Sequence, residues 1–383
     1  MRIAIDARPL TGRFTGDRTN WSNLIRALAQ VAPQHELVLF SRSPIETTEF
    51  PIAANVHSIV VAANNERTWS TFALPRAAKI HAADLLHVQY TIPPRILCSC
   101  PVVTTVHDIS FNLYPEWFPR KDRILMNLTV PRSMRAANHV ITDSESSRRD
   151  IQRVYQLPES QISAIPLGLS HGFDFPDYTM LAQRISDSRA FLATKAGITE
   201  PFILALGVLQ PRKNLMMLAA AYGKLRKQYG LPHRLVLVGK SGWITAQNTL
   251  LAEVEQEGGS SARDGVMFAG YVPDQDLPAW YSACSLFVHP SLYEGFGIPP
   301  LEAMACSAPV LVSDAPAMPE VVGDSAMVVS AKDPDAWARA MHTMLTDQDV
   351  AERYRERGPV RAARFSWLDT ARRTLNVYEE IVE

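Results

Sequence analysis

Four cysteines are spread over 383 residues, and several functional classes fall away with them. Cys98 and Cys100 stand too close for a zinc knuckle, and Cys284 and Cys306 complete no second pair, so reduced, buried or incidental thiols are expected. No run of about eighteen apolar residues could cross a bilayer. The start, Met1 to Asp6, reads directly as a strand, without the apolar core and small-residue cleavage site of a secretion signal. A cytoplasmic protein is expected. Charge of one sign is not in excess: 38 Lys and Arg face 39 Asp and Glu, a formal net charge of -1. That balance provides no basis for nucleic-acid binding. There is neither a short repeat nor a low-complexity segment. The loop after the first strand also lacks the Gly-x-Gly-x-x-Gly spacing that a hydride-transferring dehydrogenase requires.

Metal-ligand spacing is equally scarce. Asp-x-Asp triplets such as Asp274-Gln-Asp276 and Asp333-Pro-Asp335 each stand just before a helical stretch where aspartate serves as a cap. No metal and no other cofactor is therefore expected.

What remains is ordinary globular composition, 47% hydrophobic, and enough length for two cores. Short apolar runs alternate with amphipathic stretches, the signature of parallel α/β sheets. In the first half strands are expected at 2–6, 37–40, 56–60, 85–87, 102–107 and 139–142, with 163–169 as the last. Between them 21–30 and 144–155 look helical. From 170 to 196 the pattern weakens and turn formers appear, so a linker is expected there. A second cycle follows, with strands at 202–206, 234–238, 266–269, 286–289, 310–313 and 326–329. Helices are expected at 215–229, 276–283, 300–306 and 334–346. The fold class is α/β: a doubly wound domain over 1–169, another over 197–366, and a last helix near 367–383 that would pack back on the first. Open α/β sheets bind ligands beyond the carboxyl ends of their strands, so a cleft between facing halves is the expected site.

One segment carries the strongest chemistry: Ser291-Leu-Tyr-Glu294-Gly-Phe-Gly297-Ile-Pro-Pro-Leu-Glu302. It follows a strand and enters a helix whose first turn holds Pro299 and Pro300. Gly295 and Gly297 permit a sharp turn and close approach to a ligand, and the free N–H groups at the helix start suit a phosphate. Glu294 and Glu302 could accept hydrogen bonds from sugar hydroxyls. The plainer alternative makes Glu302 a complement to the helix dipole and Glu294 a solvated loop residue. A second segment, Gly207-Val-Leu-Gln-Pro-Arg212-Lys213-Asn214, places a planar guanidinium and a point charge at another strand end, suited to a diphosphate. Two exposed cations before an Asn214 cap are the alternative.

Together with Gly270-Tyr-Val272-Pro-Asp, the strand end at Lys240 and Met318-Pro-Glu320-Val-Val-Gly323, these segments resemble the retaining glycosyltransferases of family 4. The likeness runs through nearly all of the C-terminal half and thinly through the N-terminal half. It implies the GT-B fold, two Rossmann-like domains facing a central cleft. It implies that Arg212 and Lys213 bind the diphosphate of a nucleotide-sugar donor and stabilise the leaving nucleotide. Glu294 would hold hydroxyls of the transferred sugar, Glu302 those of the ribose. Gly295, Phe296 and Gly297 would contact sugar and phosphate, and Val272 would lie near the base. One departure falls at Ser307-Ala308-Pro309, where the family usually has a glycine.

The resemblance also bears on the first half. Around Arg13 to Asn20 the family usually has a glycine-rich loop; here Gly16 is kept and Arg18 stands where a second glycine is usual. Gly16 is a donor-contact candidate, and a plain surface loop is the alternative. His107, in Val106-His107-Asp108, is placed beside the transferred sugar, with Asp108 as the orienting carboxylate. Ser144 reads as a helix cap. Residues 118–135 carry Arg120, Lys121, Arg123, Arg132 and Arg135 among Ile124, Leu125 and Leu128, which suits a helix on anionic lipid or, alternatively, a solvated face. The chain also resembles bacterial mannosyltransferases of polysaccharide assembly, which implies GDP-mannose and a saccharide or lipid-linked saccharide acceptor. A UDP-sugar donor and a non-catalytic nucleotide-sugar-binding homologue are the alternatives.

Overall fold

The computed structural model describes residues 1–12, 16–45, 53–170, 172–173, 180–240 and 247–383. They form two compact units, Met1–Ser170 with Phe365–Glu383, and His171–Arg364.

The first unit is a seven-stranded parallel sheet. Its strands are β1 (Arg2–Asp6), β2 (Glu36–Ser41), β3 (Val56–Val60), β4 (Leu85–Gln89), β5 (Val102–Thr105), β6 (His139–Thr142) and β7 (Ile162–Ala164), in the order β3-β2-β1-β4-β5-β6-β7. The central strands are buried along both faces, as a parallel sheet covered by helices requires. Covering helices include α1 (Gly16–Val31), α2 (Leu74–Ile80), α3 (Arg120–Ala136) and α4 (Glu145–Tyr155). Ser144 caps α4 by accepting from the Ser147 N–H.

The C-terminal helix (Trp367–Val382) packs on α1 in this same unit. Gly168 makes the approach possible: a Cβ there would meet the Trp367 backbone nitrogen at 2.2 Å. Three bonds fasten the crossing. Leu169 N–H donates to Phe365 O at 3.0 Å, Thr370 Oγ1 to Pro166 O at 2.7 Å and Arg373 Nη2 to Ala164 O at 2.8 Å. Deeper in, fully buried His87 on β4 is hydrogen-bonded to the Tyr378 hydroxyl of that helix through Nδ1 and to Thr105 Oγ1 on β5 through Nε2.

The second unit is a six-stranded parallel sheet ordered β10-β9-β8-β11-β12-β13. Its strands are β8 (Phe202–Leu206), β9 (Arg234–Val238), β10 (Val266–Gly270), β11 (Leu286–His289), β12 (Val310–Ser313) and β13 (Met327–Val329). Helices α5 (Leu181–Ala196), α6 (Leu215–Tyr229), α7 (Gln247–Gly258), α8 (Leu277–Ala283), α9 (Ile298–Ala305), α10 (Pro334–Thr346) and α11 (Gln348–Ala362) surround it. Helix α5 corrects the expected linker over 170–196: residues 181–196 are helical, pack on α8 and belong to this unit. Their inward stripe runs Leu181, Ile185, Ser188, Leu192, and the buried serine interrupts the apolar period.

Candidate active site

Strand order in the second unit reverses between β8 and β11, which pair directly. The loops leaving the carboxyl ends of those two strands are the segments singled out above, so they meet at the switch point where open α/β sheets bind ligands. Arg212 Nη1 donates to Glu294 Oε2 at 2.7 Å, and Lys213 Nζ donates to Oε1 at 2.6 Å. Ser291 Oγ donates to the same Oε1 at 2.7 Å, and His289 Nε2 lies 3.1 Å from it. A carboxylate only accepts, so that imidazole nitrogen carries the proton.

The electrostatics follow from burial and count. Glu294 is 7% exposed. Burial alone would raise its pKa; Arg212 and Lys213, with help from His289, reverse the sign and hold it well below the usual carboxylate range. Burial, then Lys213, push His289 downward, so it stays neutral. Two cations set against one carboxylate leave the cluster with net positive charge, which a diphosphate can share.

The main chain around the cations is built from glycine. Gly207 (φ 148°) and Gly239 (φ 144°) directly follow β8 and β9, and a Cβ on Gly239 would meet Gly207 O at 2.1 Å. The Lys213 stem lies over Gly207, its Cε 3.1 Å from where a Cβ would be. Asn214 makes no side-chain cap; at φ 55° it instead donates to Pro290 O at 3.1 Å and Ala331 O at 2.7 Å, stapling the β8 loop to its neighbours. Gly297, at φ 129°, begins α9, while Gly295 and Phe296 are buried beside it. Glu302 lies one turn into α9, also buried, and accepts from Tyr281 Oη at 3.0 Å. Val272 is buried just beyond β10.

In the first unit His107 follows β5, with its Nδ1 2.7 Å from Asp143 Oδ2 and its Nε2 3.4 Å from Gln89 Nε2. This corrects the expected His107–Asp108 pair. Asp108 turns the other way and accepts from the N–H and hydroxyl of Ser110. Strand register was the missed signal: Thr105 sits opposite Ile141, so residues two further on, His107 and Asp143, face each other. Gly16 begins α1 with open space around it; Arg13 to Thr15 and Ser241 to Trp243 lie outside the described residues.

Comparison with known proteins decides the family. The model described as Glycosyltransferase Family 4 matches residues 19–172, and that described as Glycosyl transferases group 1 matches 189–361. The chain is 35% identical over 279 residues to O-antigen chain mannosyltransferase B of Escherichia coli, a match spanning 72% of this chain and 70% of that one. The chain belongs to glycosyltransferase family 4. A serotype-specific mannosyltransferase, WbdA of Escherichia coli, is 29% identical over 295 residues, 76% of this chain and 34% of its own length. Among solved structures, sucrose-phosphate synthase from Thermosynechococcus elongatus has a TM-score of 0.76 at 22% identity, covering 99% of this chain and 98% of that one. The two Rossmann-like units are those of the GT-B class.

Around the site of this glycosyltransferase the Asp-x-Asp triplets divide. Asp333 caps α10 by accepting from Ala336 N–H at 2.9 Å. Asp276 corrects the expectation: its side chain caps nothing and accepts from Lys195 Nζ of α5 at 2.6 Å. All four cysteines are free thiols. Among the described residues no helix is long and apolar enough to cross a membrane.

Proposed function

We propose that this glycosyltransferase moves mannose from GDP-mannose to a saccharide or lipid-linked saccharide acceptor, with retention at the anomeric carbon and without a metal ion. The observation that carries the donor assignment is the Arg212–Lys213–Glu294 cluster: net positive, at the switch point, with its carboxylate held ionised. The mannosyltransferase names of the curated relatives support the sugar.

In this reading Arg212 and Lys213 hold the diphosphate. The bond from the sugar C1 to the phosphate oxygen breaks, and its electron pair leaves with the nucleoside diphosphate. The two cations stabilise that charge. The acceptor hydroxyl bonds to C1 on the same face and passes its proton to the departing phosphate oxygen. Glu294 orients hydroxyls of the transferred sugar, Glu302 those of the ribose, and the backbone of Gly295, Phe296 and Gly297 contacts sugar and phosphate. Val272 borders the base, Gly16 contacts the donor, and His107 lies beside the transferred sugar. The enzyme works in the cytoplasm, on assembly of a cell-surface polysaccharide or glycolipid. Helix α3 supplies peripheral contact with the anionic inner face of the membrane: Lys121, Ile124, Leu125, Leu128, Arg132 and Arg135 share one exposed face.

Thermal-shift screening against GDP, UDP and ADP, followed by incubation with GDP-mannose and acceptor in chelator, tests the whole reading. Stabilisation by GDP and an α-linked product from the α-linked donor are expected. Stabilisation by UDP alone replaces the donor, and binding without nucleotide release makes the protein a non-catalytic homologue.

A further inference from the structure

Tyr281 and Glu302 meet where α8 packs on α9. Tyr281 Oη donates to Glu302 Oε2 at 3.0 Å, and the bond lies inside the second unit: Tyr281 is 0% exposed and Glu302 6%. The phenol ring is fixed from two sides. Its edge-to-face neighbours are Phe287 of β11, with ring centroids 5.3 Å apart, and Phe173, at 5.8 Å. Helix α8 is itself held at its start, where Asp276 accepts from Lys195 Nζ of α5. Burial, then the adjacent Glu302 carboxylate, push the phenol pKa well above its ordinary range, so the hydroxyl keeps its proton and serves Glu302 as a donor.

A glutamate's terminal torsion is broad, so a carboxylate without a fixed donor has no single plane. One phenol on Oε2 sets that plane while using one of about four lone-pair sites on the group. Glu294 is oriented differently, by Arg212, Lys213, Ser291 and His289. Two of those donors are the cations assigned to the diphosphate, whereas Tyr281 is enclosed and offers a ligand nothing to touch. We propose that Tyr281 is the positioning residue for Glu302, holding the carboxylate through Oε2 in the orientation that receives the ribose hydroxyls of the donor nucleotide. The inference rests on the reading of Glu302 as the ribose contact. Tyr281 thereby sets how sharply a ribonucleotide is told from a nucleotide lacking those hydroxyls, and acts on donor binding rather than on the transfer step.

Calorimetric titration of the full chain tests this, with GDP and 2′,3′-dideoxy-GDP as probes (UDP and its dideoxy analogue if UDP is the nucleotide that stabilises the chain). The unaltered chain should prefer GDP by about a hundredfold or more, as two hydrogen bonds to a charged group imply. Tyr281→Phe keeps the ring and removes the donor. It should weaken GDP about tenfold and leave the dideoxy nucleotide unchanged; donor KM should rise by the same factor while kcat moves by less than about threefold. In a Glu302→Ala background the preference should be gone, and Tyr281→Phe should weaken neither probe further. A Tyr281→Phe chain that keeps the full preference, or loses both probes equally, sinks the positioning role. A crystal structure of the unaltered chain with GDP gives a check that needs no variant to fold: Tyr281 Oη should still donate to Glu302 while the ribose hydroxyls meet the same carboxylate. A carboxylate turned away from the phenol overturns the inference. Equal binding of the two probes by the unaltered chain, or a preference that survives Glu302→Ala, removes the ribose role of Glu302 and this inference with it, without touching the diphosphate assignment.

Discussion

Leu292 donates its backbone N–H to the carbonyl oxygen of Arg212 at 2.8 Å. The loop bearing the cations and the loop bearing the carboxylate are thus joined through main chain as well as through side chains. Neither can shift without the other, so the cluster meets its ligand as one body.

Coupling of this kind should make the cations non-additive. Arg212→Ala and Lys213→Ala should each lower kcat/KM about ten- to a hundredfold, since a hydrogen bond to a charged group contributes roughly 1.5–3 kcal/mol. The double variant should lose less than the product of the two. Steady-state release of nucleoside diphosphate measures all three, and near-normal turnover by both single variants refutes their assignment.

Replacing the carboxylate should split binding from turnover. Glu294→Gln keeps the shape and frees two cations, so free GDP should bind as tightly as before or more so. Sugar transfer should nevertheless fall by about a hundredfold or more. Calorimetric titration beside a turnover assay reads both, and parallel loss of the two would mean that Glu294 supports the fold rather than the sugar.

Stability should fall on mild acidification through His87. Burial, with a smaller contribution from His107, lowers its pKa from the ordinary 6.5 to about 3. The unfolded chain therefore binds a proton that the native state refuses between those values. Stability is full above pH 6.5 and is lost as pH drops through that window. From pH 7.5 to 5 this one group should cost about 2 kcal/mol. His139, His233 and His289, all shifted downward, act in the same direction. Urea unfolding of His87→Phe should show a shallower pH dependence by that amount, though lower stability at neutral pH. An unchanged slope would place the proton elsewhere.

Gly239→Ala should damage the second unit. Its backbone is left-handed at φ 144°, and a Cβ would strike Gly207 O. A loss of about 3 kcal/mol or more is expected by chemical denaturation. Gly230→Ala provides a control with a left-handed φ but open space, and should cost clearly less.

Vesicle binding should track one face of α3. Sedimentation with vesicles containing anionic lipid should be salt-sensitive and should weaken on Arg132→Glu with Arg135→Glu. Leu125→Ser with Leu128→Ser should weaken it at any salt. Binding indifferent to all four changes removes this surface from consideration.

Much of this was legible in the sequence because parallel sheets write themselves as apolar runs: β1, β3, β6, β8, β9, β11 and β12 stand at the residues their patterns mark. The Glu294 and Arg212–Lys213 segments stood out because glycine, proline and charge gather at two strand ends of one half, and the family resemblance set them above their plainer readings. What stayed hidden depends on neighbours. Asp143 becomes the partner of His107 only once β5 and β6 are in register, and Asp108, adjacent in sequence, is spent on its own turn. His289 looked like the end of a strand until Glu294 folded back over it. Ser307, where the family usually has glycine, does adopt a left-handed backbone at φ 58°, held by Arg355 bonding its carbonyl and Arg184 its hydroxyl. Such compensation comes from two other helices and leaves no local mark.

The route of the chain has a practical corollary for dissecting the enzyme. Because Phe365–Glu383 belongs with Met1–Ser170, a fragment cut at Ser170 is not the first unit but that unit stripped of a helix, with His87 and the flank of α1 laid bare. Clipping residues from the far end should therefore first unsettle the half that is made first, and a stand-alone version needs both pieces fused across the gap.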